Sequence, residues 1–517
     1  MVGVGTGAMG RVKPKLRFIG RYSSIFAISQ ELAEDNLPFH RILELAHRAG
    51  ARYCLQWNDT LNAEWLAEHK LLYSHIYPSQ PNYVIRLDFF SLNPLLNIDT
   101  GNIPENEYIG YVSLRPGTMR TVVDCYIRPP NDTRNHYLLC ASRLVTKYPI
   151  SEMRYADGNA DGICPFVQQD AVVGVCAHAC LRTVSLILEG RFSGCCSTTI
   201  EDIHKRTANM PLLEGSHMPS TGLAEFELVS AVEAMGAIPT LKLFADGREQ
   251  SEQLTLEQLI YPYVESGIPV MVGIDTEQEA HVVAVVGHVF DQDSWWQQAE
   301  RAYYPSLHQG ETWIPSYMWV PEFIVQDDNF GPYMSVPRTV LASSTRSVVI
   351  PVPLTCNMFL PGHKAESMAA GYLTGEFREY ILNRTRVKRL WKNAFGSAQE
   401  QQRLVLRTVL ITREILAKHI KEVKLSRRLL DTYNQTTLPP WVWLIEISTP
   451  ELFSQQQKLG EIILNASYPA QHIRTGIEPL LSMRILDVTV VGTDFHNPII
   501  TLDSDPVRVL SRPTFSK

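Results

Sequence analysis

Four side chains in the middle of this sequence have the types and settings that acyl-transfer chemistry needs. Cys176 opens the run Cys176-Ala177-His178-Ala179-Cys180-Leu181, and apolar or small residues recur at Ala177, Cys180, Leu181, Val184, Ile187 and Leu188. That spacing predicts a one-faced helix with Gly190 at its end. Cys176 then stands at the helix N-terminus, where unpaired backbone N–H groups and the helix dipole favour thiolate over thiol. Cys180, one turn further in, lacks that advantage. A cysteine before a helix is by itself most simply a small core residue, so the reading depends on its companions. Gln169 lies seven residues upstream and carries a side-chain amide that can help hold an oxyanion, with Gln168 as the neighbouring alternative. His281 opens the apolar run His281-Val282-Val283-Ala284-Val285-Val286-Gly287, where an imidazole can lean over a sheet edge as a general base. Phe323-Ile324-Val325-Gln326-Asp327 ends in an acid that can orient that imidazole and stabilise the imidazolium. Strand alternation predicts that Asp327 and Asp328 face opposite sides, so that only one serves His281. His288, seven residues after His281, is expected on the face opposite to it.

These residues need a helix and at least three strands to position them, and the pattern supplies both. Gly267-Ile268-Pro269-Val270-Met271-Val272-Gly273-Ile274 reads as a turn and a buried strand, next to the strand that begins at His281. A length of 517 residues predicts about three domains. Residues 1–150 read as an α+β domain, with helices over 39–49 and 62–72 and strands over Tyr83–Phe90 and Tyr108–Leu114. Residues 151–350 read as a second domain, the one that carries these four side chains, entered through a Gly- and Asp-rich turn stretch at 151–164. Residues 351–517 follow Pro351, Pro353 and Pro361 as a third domain, read as helical from Glu376 to Tyr433 and as a strand from Trp441 to Ile447.

Taken together, the order Gln169, Cys176, His281, Asp327 resembles the papain-like cysteine peptidase superfamily, in particular the peptidase domains that cleave double-glycine leader peptides in bacteriocin exporters. The resemblance covers about residues 164–335. Cys176-Ala177-His178-Ala179-Cys180-Leu181 keeps the cysteine, alanine and leucine of that family's helix start and has Ala177 where the family has glycine. Asp327-Asp328-Asn329-Phe330-Gly331 corresponds to its Asp-Pro-x-x-Gly element without the proline, and its spacing to Gly331 favours Asp327. The flanks are similar to uncharacterised bacterial proteins. The resemblance implies an α+β fold with a papain-like central domain, in which the helix bearing the cysteine packs on an antiparallel sheet. It also implies a thiol peptidase with Cys176, His281, Asp327 and Gln169 as its catalytic set, acting on a peptide or isopeptide bond of a peptide or protein substrate. No exporter membrane or nucleotide-binding domain accompanies the module, so leader processing is not implied.

Other chemistries use the same residues. Glutamine deamidation, acyl transfer to an amine, or a silent papain-like binding protein all fit this triad. A zinc site from Cys176, His178 and Cys180 with Cys195 and Cys196 would require a non-helical segment, because His178 lies about 200° round a helix from Cys176. No cofactor and no metal are expected. Gly5-Thr6-Gly7-Ala8-Met9-Gly10 spells a dinucleotide motif, but four residues are too few for the strand that must precede it.

Composition narrows the class further. A net charge of −7 gives no general attraction to nucleic acid or anionic membrane, and no apolar run approaches the roughly 20 residues of a membrane helix. The basic clusters at 384–392 and 413–428 read as solvated helix faces. Nine cysteines, an odd number at irregular spacing, predict reduced thiols and a cytoplasmic protein.

Overall fold

The computed structural model describes residues 14–73, 83–96, 107–117, 120–130, 136–137, 140, 163–169, 176–207, 223–275, 280–290, 313–374, 404–422, 427, 431, 433, 437–474, 478–485, 488–492, 499–500 and 507–510. The glycine motif at 5–10, residues 151–162 and the basic cluster at 384–392 lie outside the described residues.

Alternating apolar segments near the N-terminus pair into an antiparallel sheet in the order β1 (Lys15–Phe18), β2 (Tyr53–Leu61), β3 (Tyr83–Phe90), β4 (Tyr108–Leu114) and β5 (Val122–Ile127). β6 (His136–Tyr137) leaves for the central sheet, and β7 (Pro165–Phe166) returns to pair with β5. Gly110 in β4 has φ +139°, and a Cβ there would meet the Tyr126 carbonyl at 2.1 Å, so only glycine lets β4 and β5 approach. Two helices, α1 (Tyr22–Ala33) and α2 (Leu37–Arg48), precede β2. The Asn36 side chain accepts the Phe39 N–H at 2.9 Å and starts α2. Phe39, Ile42, Leu43 and Ala46, at helical spacing, go into the core. α3 (Ala63–Glu68) is capped in the same way by Asn62 and continues into a π-helical turn, His69–Tyr73.

The middle of the chain begins with the helix predicted from Cys176, α4 (Cys176–Arg191), followed by α5 (Ile200–Thr207) and α6 (Glu225–Ala234). The strands after it are β8 (Ala237–Ala245), β9 (Arg248–Glu249), β10 (Val270–Asp275), β11 (Ala280–Val289), β12 (Trp313–Pro315), β13 (Glu322–Asp327), β14 (Gly331–Pro337) and β15 (Thr345–Pro353). The central sheet runs β14-β13-β11-β10-β15-β8-β9, every pairing antiparallel, with β6 added beside β11. α4 packs on β10 and β11, and α7 (Leu256–Glu265), started by a reciprocal Thr255–Gln258 cap, also packs on β11. The protein is thus α+β, with a cysteine-bearing helix against an antiparallel sheet.

Beyond α8 (Arg338–Ser344) and α9 (Gly362–Thr374), the chain builds a third sheet. It contains β12, then β16 (Leu404–Thr412) and β17 (Trp441–Ser448), followed in the chain by the short β18 (Gln457–Lys458) outside that sheet, and then β19 (Gly460–Asn465), β20 (Leu480–Ile485) and β21 (Val488–Val491). The expectation of a helical region from Glu376 to Tyr433 fails at β16, while residues 376–403 lie outside the described residues. Leu404-Val405-Leu406-Arg407-Thr408-Val409-Leu410-Ile411 is buried on both faces of the sheet, and such a strand is apolar without alternation, which periodicity cannot distinguish from a buried helix. α10 (Arg413–Glu422) follows it directly.

The three sheets exchange strands across positions 150 and 350: β6 and β12 join a different sheet from their chain neighbours, and β7 rejoins the first. One hydrophobic cluster accordingly runs from Ile19 through Val272 to Val490. No helix among the described residues is long and apolar enough to cross a membrane.

Candidate active site

His281 is the second residue of β11, and its imidazole is buried at 6% exposure. β13 runs antiparallel to β11 and delivers Asp327 at its end, followed by a tight turn into Gly331. The turn holds itself together through Asp327. The Phe330 N–H donates to the Asp327 carbonyl, and the N–H groups of Asn329 and Phe330 donate to Asp327 Oδ1 at 2.9 and 3.3 Å. Gly331 has φ +112°, and a Cβ there would sit 2.9 Å from Arg41 Cδ.

His281 Nε2 is 3.2 Å from Asp327 Oδ1 and 3.4 Å from Asp328 Oδ1. The expectation that only one of the two acids faces the histidine is therefore corrected. Alternation applies within a strand, and β13 stops at Asp327; Asp328 is already in the turn, whose backbone swings it back toward the ring. Only the Asp327 contact has hydrogen-bond geometry. The Asp328 carboxylate oxygens have no hydrogen-bond partner among the described residues. Burial pushes its pKa up to about 7, against the pull of His281 and with a further push from Asp327. His281, Asp327 and Asp328 together place three potential ligand atoms within 4.8 Å of one another.

Cys176 is the first residue of α4, the helix that packs on β11. Its side chain, like residues 170–175 before it, lies outside the described residues. The two glutamines separate clearly. Gln168 is buried, and its side-chain oxygen accepts from the Val122 N–H at 2.9 Å and from Asn36 Nδ2 at 3.0 Å, which ties the segment to the first sheet. Gln169 reaches the other way, and its Nε2 donates to Asn329 Oδ1 at 3.1 Å, two residues beyond Asp327. Asn329 enters the sequence pattern only as a member of the Asp327–Gly331 element; its chain position next to the acids is the signal that could have marked it. Gln169 and Asn329 line a cleft of about 650 Å³ together with the α1–α2 junction, Glu34, Asp35 and Asn36.

His288, at the far end of β11, turns to Glu265 of α7, with Nε2 2.6 Å from the carboxylate. His178 is buried beside His204, and burial lowers its pKa to about 3. It does not share a cluster with Cys195 or Cys196, whose sulfurs lie near the Gly236 and Ala234 carbonyls. All eight cysteines with described side chains are free thiols. Burial raises the pKa of Cys54 and Cys140 to about 12 and of Cys195 to about 11, and lifts Cys125, Cys164 and Cys356 as well.

No family model matches this chain, and no curated protein matches it. Among solved structures, it is similar to the N-terminal peptidase C39 like domain of the toxin secretion ATP-binding protein from Vibrio parahaemolyticus, at 17% identity and a TM-score of 0.17. That match covers 33% of this chain and 94% of the other. A likeness of this size assigns nothing, and the chemistry rests on this chain's own residues.

Proposed function

We propose that the protein is a cysteine hydrolase of papain-like type, cleaving a peptide or isopeptide bond through Cys176, His281 and Asp327. The observation that carries the reading is the buried His281–Asp327 pair at 3.2 Å, on the strand against which the Cys176 helix packs. With its proton on Nε2 and donated to Asp327, the imidazole leaves Nδ1 as the basic nitrogen.

Nδ1 takes the Cys176 thiol proton, and the thiolate attacks the carbonyl carbon to form a C–S bond. The oxyanion is received by the backbone N–H at the start of α4 and by Gln169, whose amide has a second hydrogen beyond the one given to Asn329. Collapse breaks the C–N bond as the imidazolium protonates the leaving amine. Water, losing its proton to Nδ1, then hydrolyses the thioester and restores the thiol.

The test is alkylation by iodoacetamide read by mass spectrometry in a Cys196→Ser background, since Cys196 is the exposed competitor. Cys176 is expected to label fastest, because burial holds the thiols of Cys54, Cys140 and Cys195 protonated. Labelling of Cys176 no faster than Cys195 refutes the proposal.

A further inference from the structure

We infer that His281, Asp327 and Asp328 form a binding site for a divalent transition-metal ion of the zinc class. Two acids face one imidazole nitrogen, at 3.2 and 3.4 Å from Nε2. A tetrahedral zinc ion, with N and O ligands at about 2.0–2.2 Å, spaces its ligand atoms about 3.4 Å apart. The two measured separations already have that value, and all three ligand atoms lie within 4.8 Å of one another. The second observation is Asp328 itself. Its carboxylate is 5% exposed, and neither oxygen has a hydrogen-bond partner among the described residues. A carboxylate withdrawn from water without donors needs a cation. One imidazole with two carboxylates suits zinc, cobalt or manganese better than the all-oxygen preference of calcium or magnesium.

The consequence for activity rests on the hydrolase reading; the site does not. A metal on Nε2 uses that nitrogen's lone pair, so the neutral ring carries its proton on Nδ1. Nδ1 then cannot accept the Cys176 proton, and the ion silences the nucleophile by moving one hydrogen across the ring.

The experiment uses the full-length Cys196→Ser protein, stripped with EDTA and titrated with ZnCl2 by calorimetry, beside the same protein carrying Asp328→Asn. One equivalent is expected to bind, at least tenfold more weakly in the D328N protein, and MgCl2 is not expected to compete. One equivalent of zinc is expected to slow iodoacetamide labelling of Cys176 at least tenfold, with EDTA restoring it. Asparagine matches aspartate in shape, and Co2+ loaded in place of zinc gives a readout that needs no variant: its visible bands report four-coordinate nitrogen and oxygen ligation. Equal zinc affinity in both proteins, or cobalt spectra dominated by thiolate ligation, overturns the site. Asp328-dependent binding that leaves labelling unchanged upholds the site and overturns its regulatory effect. Failure of Cys176 to label even in EDTA, with Asp328-dependent binding intact, removes the hydrolase and leaves the metal site standing.

Discussion

Two groups of buried charges lie within reach of β11, and they are built on opposite terms. At one end of the strand, His281 faces two carboxylates with no other cation within ion-pair distance of them among the described residues. At the other, His288 meets Glu265, which also holds Arg407 at 2.7 Å; Arg407 passes to Glu446 at 2.6 Å. Lys458 bridges Glu446 and Glu461, each at 2.7 Å, and Arg484 closes on Glu461 at 3.5 Å. Glu265, Glu446 and Glu461 are thus matched by Arg407, Lys458 and Arg484. Burial alone would raise Glu446 and Glu461, but the surrounding cations outweigh it and hold both below the usual carboxylate range, whereas Asp328 is pushed up to about 7. Balanced buried charge is architecture, here locking α7 and β11 to β16, β17 and β19. Unbalanced buried charge has no such structural use, and it is this end of the strand on which the proposed chemistry is placed.

The largest effect should come from breaking the balance. Arg407→Met leaves Glu265 and Glu446 buried without their shared cation, and denaturant unfolding should show a loss of about 3–5 kcal/mol. Loss below about 1 kcal/mol would mean that the network relaxes into water and does not lock the sheets. At the unbalanced end, the larger effect is expected on reactivity. His281→Ala should slow iodoacetamide labelling of Cys176 by about 100-fold, the typical share of a general base. An unchanged rate would assign any thiolate there to the helix terminus alone.

A third substitution separates the two groups by sign. Asp328→Asn removes an acid that has no hydrogen-bond donor among the described residues, and in metal-free buffer should stabilise the protein by about 1 kcal/mol. Glu446→Gln, of the same chemical form, should destabilise it. Thermal melts of both proteins check the pair, and destabilisation by Asp328→Asn would erase the contrast.

The smallest expected effect lies between these extremes. Glu366 on α9 is buried with a neutral partner, the Thr408 hydroxyl at 2.7 Å, and burial pushes its pKa up to about 7 from the ordinary 4.5. The folded state therefore holds a proton that the unfolded chain has lost. This contribution to stability is complete below pH 4.5, falls as pH rises toward 7, and is gone above it. Glu366→Gln, which can still accept the hydroxyl, should melt higher than the unsubstituted protein at pH 8, with the gap closing at pH 5.

Local signals carried a good part of this molecule. Tyr83–Phe90 and Tyr108–Leu114 form strands with the bounds their alternation implies, and the helix from Cys176 begins where its apolar stripe begins. His281 at a strand entry and Asp327 at a strand end were legible for the same reason: a short run of one period has identifiable ends. Leu404–Thr412 was not, because burial on both faces erases the period that separates strand from helix.

For segments with one clear period, such as Tyr83–Phe90, Tyr108–Leu114 and the helix from Cys176, the amino-acid sequence by itself determined the element and which side chains stand at its ends, since those follow from steric and apolar patterns within about ten residues. Tertiary structure alone decided that Asp328 turns back to share His281 and that Gln168 anchors while Gln169 reaches Asn329. It also decided that Glu265 joins His288 to Arg407, 142 residues away in the chain. Each of these depends on a turn or a strand exchange that brings distant charges out of water together, and such pairings leave no trace in local spacing.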